Sequence, residues 1–264
     1  MSPSLLARLL AGLLAAGLCG CKHVPTEREI QGAQIHFDLG VNAQTAGDVQ
    51  AAYREYQQAV EKYPDFAEAH NALGILLHLS FKRPQEALGH YQQAVKLKPA
   101  FSDAGFTSQA KTNLANLYLD LARYDEAIAL YQEALNDMLY ATPYIAQHNL
   151  GWAHYKRGDT KREDLKLAVE SIKAAVTTNP KFCLGYKNLG IIFDEQGKLE
   201  DACKNYGRYR ENCPDVADAH YREGVCLAKL GQNDAAKKAF ATCQTKNPSE
   251  PLKEDCKRLL DHLQ

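Results

Sequence analysis

Cysteines are the residues whose spacing in this sequence most directly suggests chemistry. The 264-residue chain has eight, of which two stand at positions 19 and 21 and six lie between Cys183 and Cys256. Six thiols in one segment can pair as disulfides, stay buried as small apolar side chains, or bind zinc. Zinc is the weakest of these because no Cys-x-x-Cys pair and no nearby set of histidines is present. We therefore expect no metal site.

Motifs for catalysis and for phosphate binding are missing. The sequence has no glycine-rich phosphate loop, no His-Glu-x-x-His and no Gly-x-Ser-x-Gly. Acidic residues alternate with Lys and Arg, which is typical of solvated helix faces. With 31 basic against 32 acidic residues, the chain has no overall positive field to hold a nucleic acid. We expect no enzyme, no cofactor and no nucleic-acid partner.

The first twenty residues have the features of a signal peptide. One positive charge, Arg8, precedes the apolar run Leu9 to Leu18, which is too short to span a bilayer. The run ends in Leu-Cys-Gly-Cys, which resembles a bacterial lipobox: a branched apolar residue three places before Cys21 and a small one directly before it. Cys19 fits worse because Leu18 would then stand beside the cut. The alternative is an ordinary secretory signal with incidental cysteines.

Resemblance to bacterial lipoproteins implies that Cys21 carries acyl chains on its thiol and on its new amino terminus. More than one chain anchors a protein durably, whereas a single chain binds only marginally. Lys22 follows, not the Asp that retains many lipoproteins in the inner membrane, so we expect a lipid anchor in the outer membrane facing the periplasm. We assign residues 1–20 to the signal peptide and 21–32 to the lipidated N-terminus and a polar tether.

The rest of the chain repeats one pattern six times. A small residue is followed twelve or more places later by an Ala, then by an aromatic or apolar residue four places on, and usually by a Pro eight places after that. The copies begin at Gly40, Gly74, Ala115, Gly151, Gly190 and Gly224. The fourth copy has about five extra residues at Lys161 to Leu165, and the stretch Ala100 to Gln109 lies outside the pattern as a spacer.

This pattern resembles the tetratricopeptide repeat, a helix-turn-helix unit of 34 residues, over Ala33 to Pro248. The resemblance implies an all-α fold, a right-handed superhelical solenoid of six repeats over 33–248. Residues 249–264 are expected to form a capping helix, because Leu252, Cys256 and Leu259 have helical spacing. A capped solenoid has no open end to propagate, so we expect a monomer.

The register of the repeats restricts how the six cysteines can pair. In an oxidising compartment we predict disulfides that join neighbouring antiparallel helices: Cys183 with Cys213, Cys203 with Cys226, and Cys243 with Cys256. Buried free thiols are the alternative, as the place of Cys243 at an alanine position suggests.

In this fold the first helices of the repeats line a concave face, where a partner could bind. The repeat positions that point into it predict a groove lined by Phe37, Val41, Asn71, Ile75, Asn113, Asn116, His148, Asn149, Trp152, Tyr155, Lys187, Asn188, Ile191, Tyr221 and Arg222.

Two features of this groove suggest how it would bind. Asn113, Asn149 and Asn188 occupy one position in three successive repeats, and such a ladder resembles that of repeat proteins whose amides bracket an extended peptide. Local hydrogen bonding or plain solvation is the alternative. Trp152, the only tryptophan, is a candidate anchor, since large aromatic residues are often interface hot spots; it could equally pack against the next repeat.

Six such repeats after a lipidated cysteine resemble the pilotin lipoproteins of type IV pili. The resemblance implies an outer-membrane assembly factor that binds secretin subunits and promotes their insertion and multimerisation, so that pili can support surface motility. Cys21 would localise the protein, and the groove would hold the client.

Other functions fit the same elements. The groove could instead recruit envelope proteases or cell-wall enzymes, in which case the protein is a peptide-binding adaptor. It could also be a structural subunit of an outer-membrane assembly machine that binds through its convex face.

Overall fold

The fold is an all-α solenoid. The computed structural model describes residues 24–158 and 162–263, so the predicted signal peptide and Cys21 lie outside the described residues. Thirteen α-helices are present in the described ranges: α1 Glu27–Thr45, α2 Val49–Lys62, α3 Ala67–Ile75, α4 Pro84–Lys96, α5 Phe106–Asp120, α6 Tyr124–Leu135, α7 Pro143–Arg157, α8 Arg162–Thr178, α9 Cys183–Glu195, α10 Leu199–Asn212, α11 Ala217–Lys229, α12 Asn233–Thr245 and α13 Glu250–His262. A π-helical turn, Leu76–Ser80, extends α3.

Twelve of these helices form six hairpins that stack in chain order. Each odd-numbered helix from α1 to α11 is the first helix of a repeat, and the even-numbered helix after it is the second. The last helix, α13, packs against α12 and α11 as the sequence predicts for a capping helix. The predicted all-α solenoid of six repeats is confirmed, and no strand occurs in the part of the chain that the structure describes.

The repeated small residues let the two helices of a hairpin come into contact. A Cβ atom added to Gly40 would lie 2.5 Å from the ring of Tyr56, and one added to Gly190 would lie 2.5 Å from the ring of Tyr206. A Cβ atom added to Gly74, Gly151 or Gly224 would lie 2.6 to 2.8 Å from the side chain of Tyr91, Ile172 or Phe240, respectively. The repeat therefore requires a small residue at this position, because the large side chain fills the space that a Cβ atom would need.

The repeated alanines form the rest of the core. Ala52, Ala87, Ala127, Ala168, Ala202 and Ala236, one from each second helix, are fully buried. They let each second helix pack closely on its first helix and on the next repeat, and the aromatic residues fill the wider gaps between them.

Three boundaries differ from those that the sequence predicts. Helix α1 begins at Glu27, inside the predicted tether 21–32, because Thr26 and Glu29 form a capping box: the backbone N–H of Thr26 donates to Glu29 Oε2 at 2.8 Å, and that of Glu29 donates to Thr26 Oγ1 at 3.3 Å. Helix α5 begins at Phe106, which shortens the predicted spacer. The extra residues of the fourth repeat belong largely to helix α8, which begins at Arg162.

The spacer between the second and third repeats is held by one buried carboxylate. Glu68 accepts hydrogen bonds from the backbone N–H groups of Ala100, Phe101 and Ser102 at 3.1, 2.7 and 2.7 Å. The spacer ends at Gly105, whose φ of +98° and closeness to the Leu139 carbonyl leave no room for a side chain. The repeats therefore stay in register despite the extra residues.

All three predicted disulfides are present. Cys183 is bonded to Cys213, Cys203 to Cys226 and Cys243 to Cys256, with Cα–Cα distances of 6.0, 5.4 and 6.3 Å. The first closes the fifth hairpin, the second ties the fifth repeat to the sixth, and the third ties the capping helix to the sixth.

None of the helices in the described ranges combines the length and apolar character that a membrane span requires.

Candidate partner-binding surface

Polar side chains on the first helices join the repeats to one another. Asn113 Nδ2 donates to Asn71 Oδ1 at 3.0 Å and so connects α5 to α3. Asn149 Nδ2 donates to Asn116 Oδ1 at 2.8 Å and connects α7 to α5. The hydroxyl of the buried Tyr131 donates to the same Asn116 oxygen at 2.6 Å, which fixes the orientation of this amide.

His148 continues this chain of hydrogen bonds to the fifth repeat. Asn188 Nδ2 lies 2.9 Å from His148 Nε2, and His148 Nδ1 lies 2.7 Å from Asn149 Oδ1. Because an amide nitrogen can only donate and an amide oxygen can only accept, His148 is neutral with its proton on Nδ1. Burial lowers the pKa of His148, whereas its hydrogen bond to Asn149 acts in the opposite direction.

Ion pairs connect the fifth repeat to the sixth, in place of the hydrogen bonds between neutral side chains that connect the earlier repeats. Asp218 on α11 accepts from Lys187 on α9 at 2.9 Å and from Arg222, one turn along α11, at 3.0 Å. Burial acts to raise the pKa of Asp218, but the hydrogen bonds and positive charges of Lys187 and Arg222 outweigh it and lower that pKa below its ordinary value. Asp218 is thus a carboxylate held between two cations.

Each neighbouring pair of first helices from α3 to α11 is bridged in this way. We call these residues the polar ladder: Asn71, Asn113, Asn116, His148, Asn149, Lys187, Asn188, Asp218 and Arg222. The predicted asparagine positions lie on it, but their amides bond to neighbouring repeats. The amide nitrogens of Asn113, Asn149 and Asn188 can each donate a second hydrogen bond, and these asparagines are half-buried, so a ligand can still reach them.

An aromatic platform stands beside the polar ladder on α7. The rings of Trp152 and Tyr155 lie 4.7 Å apart between centroids, and the Lys156 ammonium lies 5.1 Å from the Trp152 ring. The Tyr155 hydroxyl donates to the Glu195 carboxylate on α9 at 2.6 and 2.7 Å. Trp152 is half-buried, so one face of the platform packs on protein while part of it meets solvent.

The remaining predicted groove residues belong to neither the polar ladder nor the aromatic platform. Phe37 packs between the rings of Tyr56 and Phe66, with centroids 5.5 and 5.1 Å away. Ile75 and Ile191 pack against the hydrophobic core, and Tyr221 lies against Phe240. Val41, near the end of α1, is 41% exposed.

Sequence reasoning missed Asp218 and Glu195. Asp218 was detectable, because an acidic residue four places before Arg222 on a helix predicts an ion pair. Glu195 carries no such local signal, since its partner Tyr155 belongs to another repeat.

No group of three or more His, Cys, Asp or Glu residues suited to hold a metal ion occurs in residues 24–158 and 162–263. The surface offers hydrogen-bonding amides, an aromatic platform and a charged end. These features suit the binding of a polypeptide.

The stacked hairpins and this surface define a helical-repeat binding scaffold. Family models described as "Tetratricopeptide repeat" match residues 37–101 and 187–251, and a second such model matches 107–137, together more than half of the chain. The chain belongs to the tetratricopeptide-repeat family.

Two solved structures resemble this chain over nearly their whole length. PilW, described as a widely conserved type IV pilus biogenesis factor, is 24% identical with a TM-score of 0.73, and the match covers 85% of this chain and 98% of PilW. Pseudomonas aeruginosa pilF is 17% identical with a TM-score of 0.70, covering 88% of this chain and 99% of pilF. At these identities the likeness shows the fold.

The curated relatives are much longer proteins. Protein CTR9 homolog of Arabidopsis thaliana is 22% identical over 205 residues, which are 77% of this chain and 18% of that protein. The chain spans less than a fifth of the length of the first curated relatives that it matches, so this similarity concerns the repeats.

Proposed function

We propose that this protein is an outer-membrane lipoprotein that acts as a pilotin in type IV pilus biogenesis. It binds secretin subunits and promotes their insertion and multimerisation in the outer membrane. The observation that carries the proposal is the match to PilW and pilF over 98% and 99% of their length. The predicted lipobox around Cys21 supports the proposal, because a lipid anchor would hold the protein at the membrane into which secretin subunits insert.

The lipid anchor and the solenoid have separate tasks in this proposal. Acyl chains on Cys21 hold the protein at the bilayer, and only five residues separate Cys21 from the start of α1 at Glu27. At up to about 3.6 Å per residue, that segment keeps the start of α1 within about 20 Å of the membrane surface. A client bound to the solenoid is therefore presented where it inserts.

The polar ladder and the aromatic platform are the proposed client contacts. Cross-repeat hydrogen bonds hold their side chains in place before a client arrives, and such preorganisation lowers the entropy cost of binding. Asn113, Asn149 and Asn188 supply hydrogen-bonding groups, and Trp152 supplies a large apolar surface. Phe37 and Ile75 would contribute less, because both pack largely into the core.

Tetratricopeptide repeats are typical of interaction scaffolds, and this one offers no paired acid and base on the polar ladder. Asp218, its one carboxylate, is neutralised by Lys187 and Arg222. We propose a binding function without catalysis.

Deletion of the gene tests the proposal. We expect the secretin to remain as monomers, surface pili to be lost, and both to return with the wild-type chain. A Cys21→Ala variant should accumulate without its lipid and restore neither. Intact secretin multimers in the outer membrane of the deletion strain would contradict the proposal. Capture of envelope proteases or cell-wall enzymes in place of a secretin would favour the adaptor function.

A further inference from the structure

A second candidate binding surface lies away from the polar ladder. A groove of about 1270 Å³ runs between the second helices α8 and α10, with α9 along its floor. Helix α9 turns Lys187 and Asn188 toward the polar ladder and Leu189 and Phe193 toward this groove. The groove and the polar ladder therefore use different faces of one helix.

The groove owes its length to the extra residues of the fourth repeat. Helix α8 has 17 residues, whereas the other second helices have 12 to 14. Glu163 and Leu165, which lie in the extra segment, line the groove at one end. Because the extra residues continue helix α8 along the groove, they form part of its wall and not only a loop.

The lining combines an apolar floor with positive charge. Leu165, Val169, Val176, Leu189 and Phe193 supply the apolar surface, and Lys166, Lys173, Lys198 and Lys204 stand among them. The ammonium groups of Lys173 and Lys198 lie 5.8 and 5.7 Å from the centre of the Phe193 ring.

Lys198 departs from the arrangement at the same place in other repeats. Immediately before α4 and α6, Arg83 and Arg123 pair with the carboxylate three residues on, Glu86 at 2.6 Å and Glu126 at 2.7 Å. Lys198, immediately before α10, has Asp201 at that spacing but places its ammonium over Phe193 instead. Its charge is thus available to the groove.

The acidic residues of the groove have local roles. Glu163 and Asp201 lie in the first turns of α8 and α10, where a negative charge stabilises the helix end. Glu170 lies 3.8 Å from Lys166. Among the described residues, Lys173, Lys198 and Lys204 have no ion-pair partner, so the groove retains positive charge.

We propose that this groove binds an amphipathic helix of a partner protein, with the helix's apolar face on the floor and its Asp or Glu side chains against Lys173, Lys198 and Lys204. The volume exceeds the roughly 300–1,000 Å³ of small-molecule sites and suits the helix-in-groove mode of recognition. The proposal does not depend on the pilotin function, which uses the other face.

Two synthetic helical peptides test it. Both carry the same leucine face, and the positions that flank this face carry Glu in one and Lys in the other. Binding to the full chain in detergent is followed by fluorescence anisotropy. We expect the Glu peptide to bind at least tenfold more tightly, and this preference to fall as salt screens the lysines.

Variants locate the site. Lys173→Glu with Lys198→Glu should weaken binding of the Glu peptide at least tenfold, whereas the charge-matched pair Lys96→Glu with Lys238→Glu should not. Val169→Trp, which fills the groove without changing charge, should also abolish binding while the circular dichroism stays unchanged. Equal binding of the two peptides, or full binding by either groove variant, would overturn the proposal. Trp152→Ala should leave this binding intact, so failure here is distinguishable from failure of the pilotin function.

Discussion

The side-chain amide of Asn188 donates to Nε2 of His148 over 2.9 Å and thereby joins the fifth repeat to the fourth. His148 passes the connection to Asn149 through Nδ1. A buried imidazole with one donor and one acceptor nitrogen is the side chain that can continue this chain in both directions. The arrangement works only while His148 is neutral.

Acid should therefore weaken the fold. Burial lowers the pKa of His148 and His70 below the ordinary value of 6.5, and that of His90 to about 4. The unfolded chain then binds protons more readily than the folded one, so this contribution to stability is intact above about pH 6.5 and is lost as the pH falls below it. We expect the melting temperature to fall between pH 7 and pH 5.

Substitution of single histidines should show how much of the pH dependence of stability comes from His148. His148→Gln should cost about 1–2 kcal/mol at pH 7 and reduce the loss between pH 7 and pH 5, because Gln can donate and accept without titrating. His262→Gln, at the exposed end of α13, should leave the pH profile unchanged. A His148→Gln profile as steep as the wild type would contradict this account.

Reduction of the disulfides should destabilise one end of the molecule. The Cys203–Cys226 bond closes 23 residues and the Cys183–Cys213 bond closes 30, so each contributes about 3 kcal/mol in the chain-entropy model. We expect hydrogen exchange under reducing conditions to accelerate in α9 to α13 and to stay unchanged in α1 to α6. Uniform acceleration along the chain would mean that the repeats unfold as one unit.

Substitution by alanine should have opposite effects on stability at Gly190 and at Gly89. A Cβ at Gly190 would lie 2.5 Å from the Tyr206 ring, whereas one at Gly89 meets no atom within 4 Å. Gly190→Ala should destabilise by about 1–3 kcal/mol through overpacking, and Gly89→Ala should stabilise by up to about 1 kcal/mol because Ala favours the helix. Urea unfolding measures the change in the free energy of unfolding for both variants. Equal effects would contradict the requirement for a small residue at Gly190.

The sequence was enough to predict features that repeat. The recurrence of residues such as Gly190 and Tyr206 reports helix packing that is the same in each hairpin, so it predicts the fold and, through the register, all three disulfides. Contacts that occur once were not predictable. Glu68 satisfies three backbone donors 32 to 34 residues away, and nothing near Glu68 marks it as buried.

The binding surface was predictable only in part. Repeat position placed Asn113, Asn149 and Asn188 on one face, but the partner of each amide depends on how far neighbouring helices are apart. The groove beside α8 was not predictable, because sequence alone does not say whether the extra residues at Lys161 to Leu165 extend a loop or a helix.

Loss of the Glu68 charge should loosen the spacer. Glu68→Gln replaces one acceptor oxygen with a donor that faces backbone N–H groups, so we expect a cost of about 1–3 kcal/mol and faster proteolysis between Ala100 and Gly105. Glu61→Gln, an exposed change of the same chemistry, is the control. If the two variants resist protease equally, the carboxylate does not hold the spacer.

Truncation of Trp152 should separate client binding from stability. Trp152→Ala removes the half-buried ring that stacks on Tyr155, and a hot spot of this kind is worth about 2 kcal/mol or more, which is about thirtyfold in Kd. We expect capture of the secretin by the lipid-anchored protein to be lost while the fold persists. Asn149→Ala with Asn188→Ala should also weaken capture.

The control for Trp152 is Phe101→Ala, which removes an aromatic ring of the spacer that is 50% exposed and belongs to neither the polar ladder nor the aromatic platform. It should capture the secretin as the wild type does. If the secretin is retained by Trp152→Ala and by the double asparagine variant, the client binds elsewhere on the solenoid. The groove beside α8 would then be the next surface to test, with Lys173→Glu and Lys198→Glu in the same capture assay.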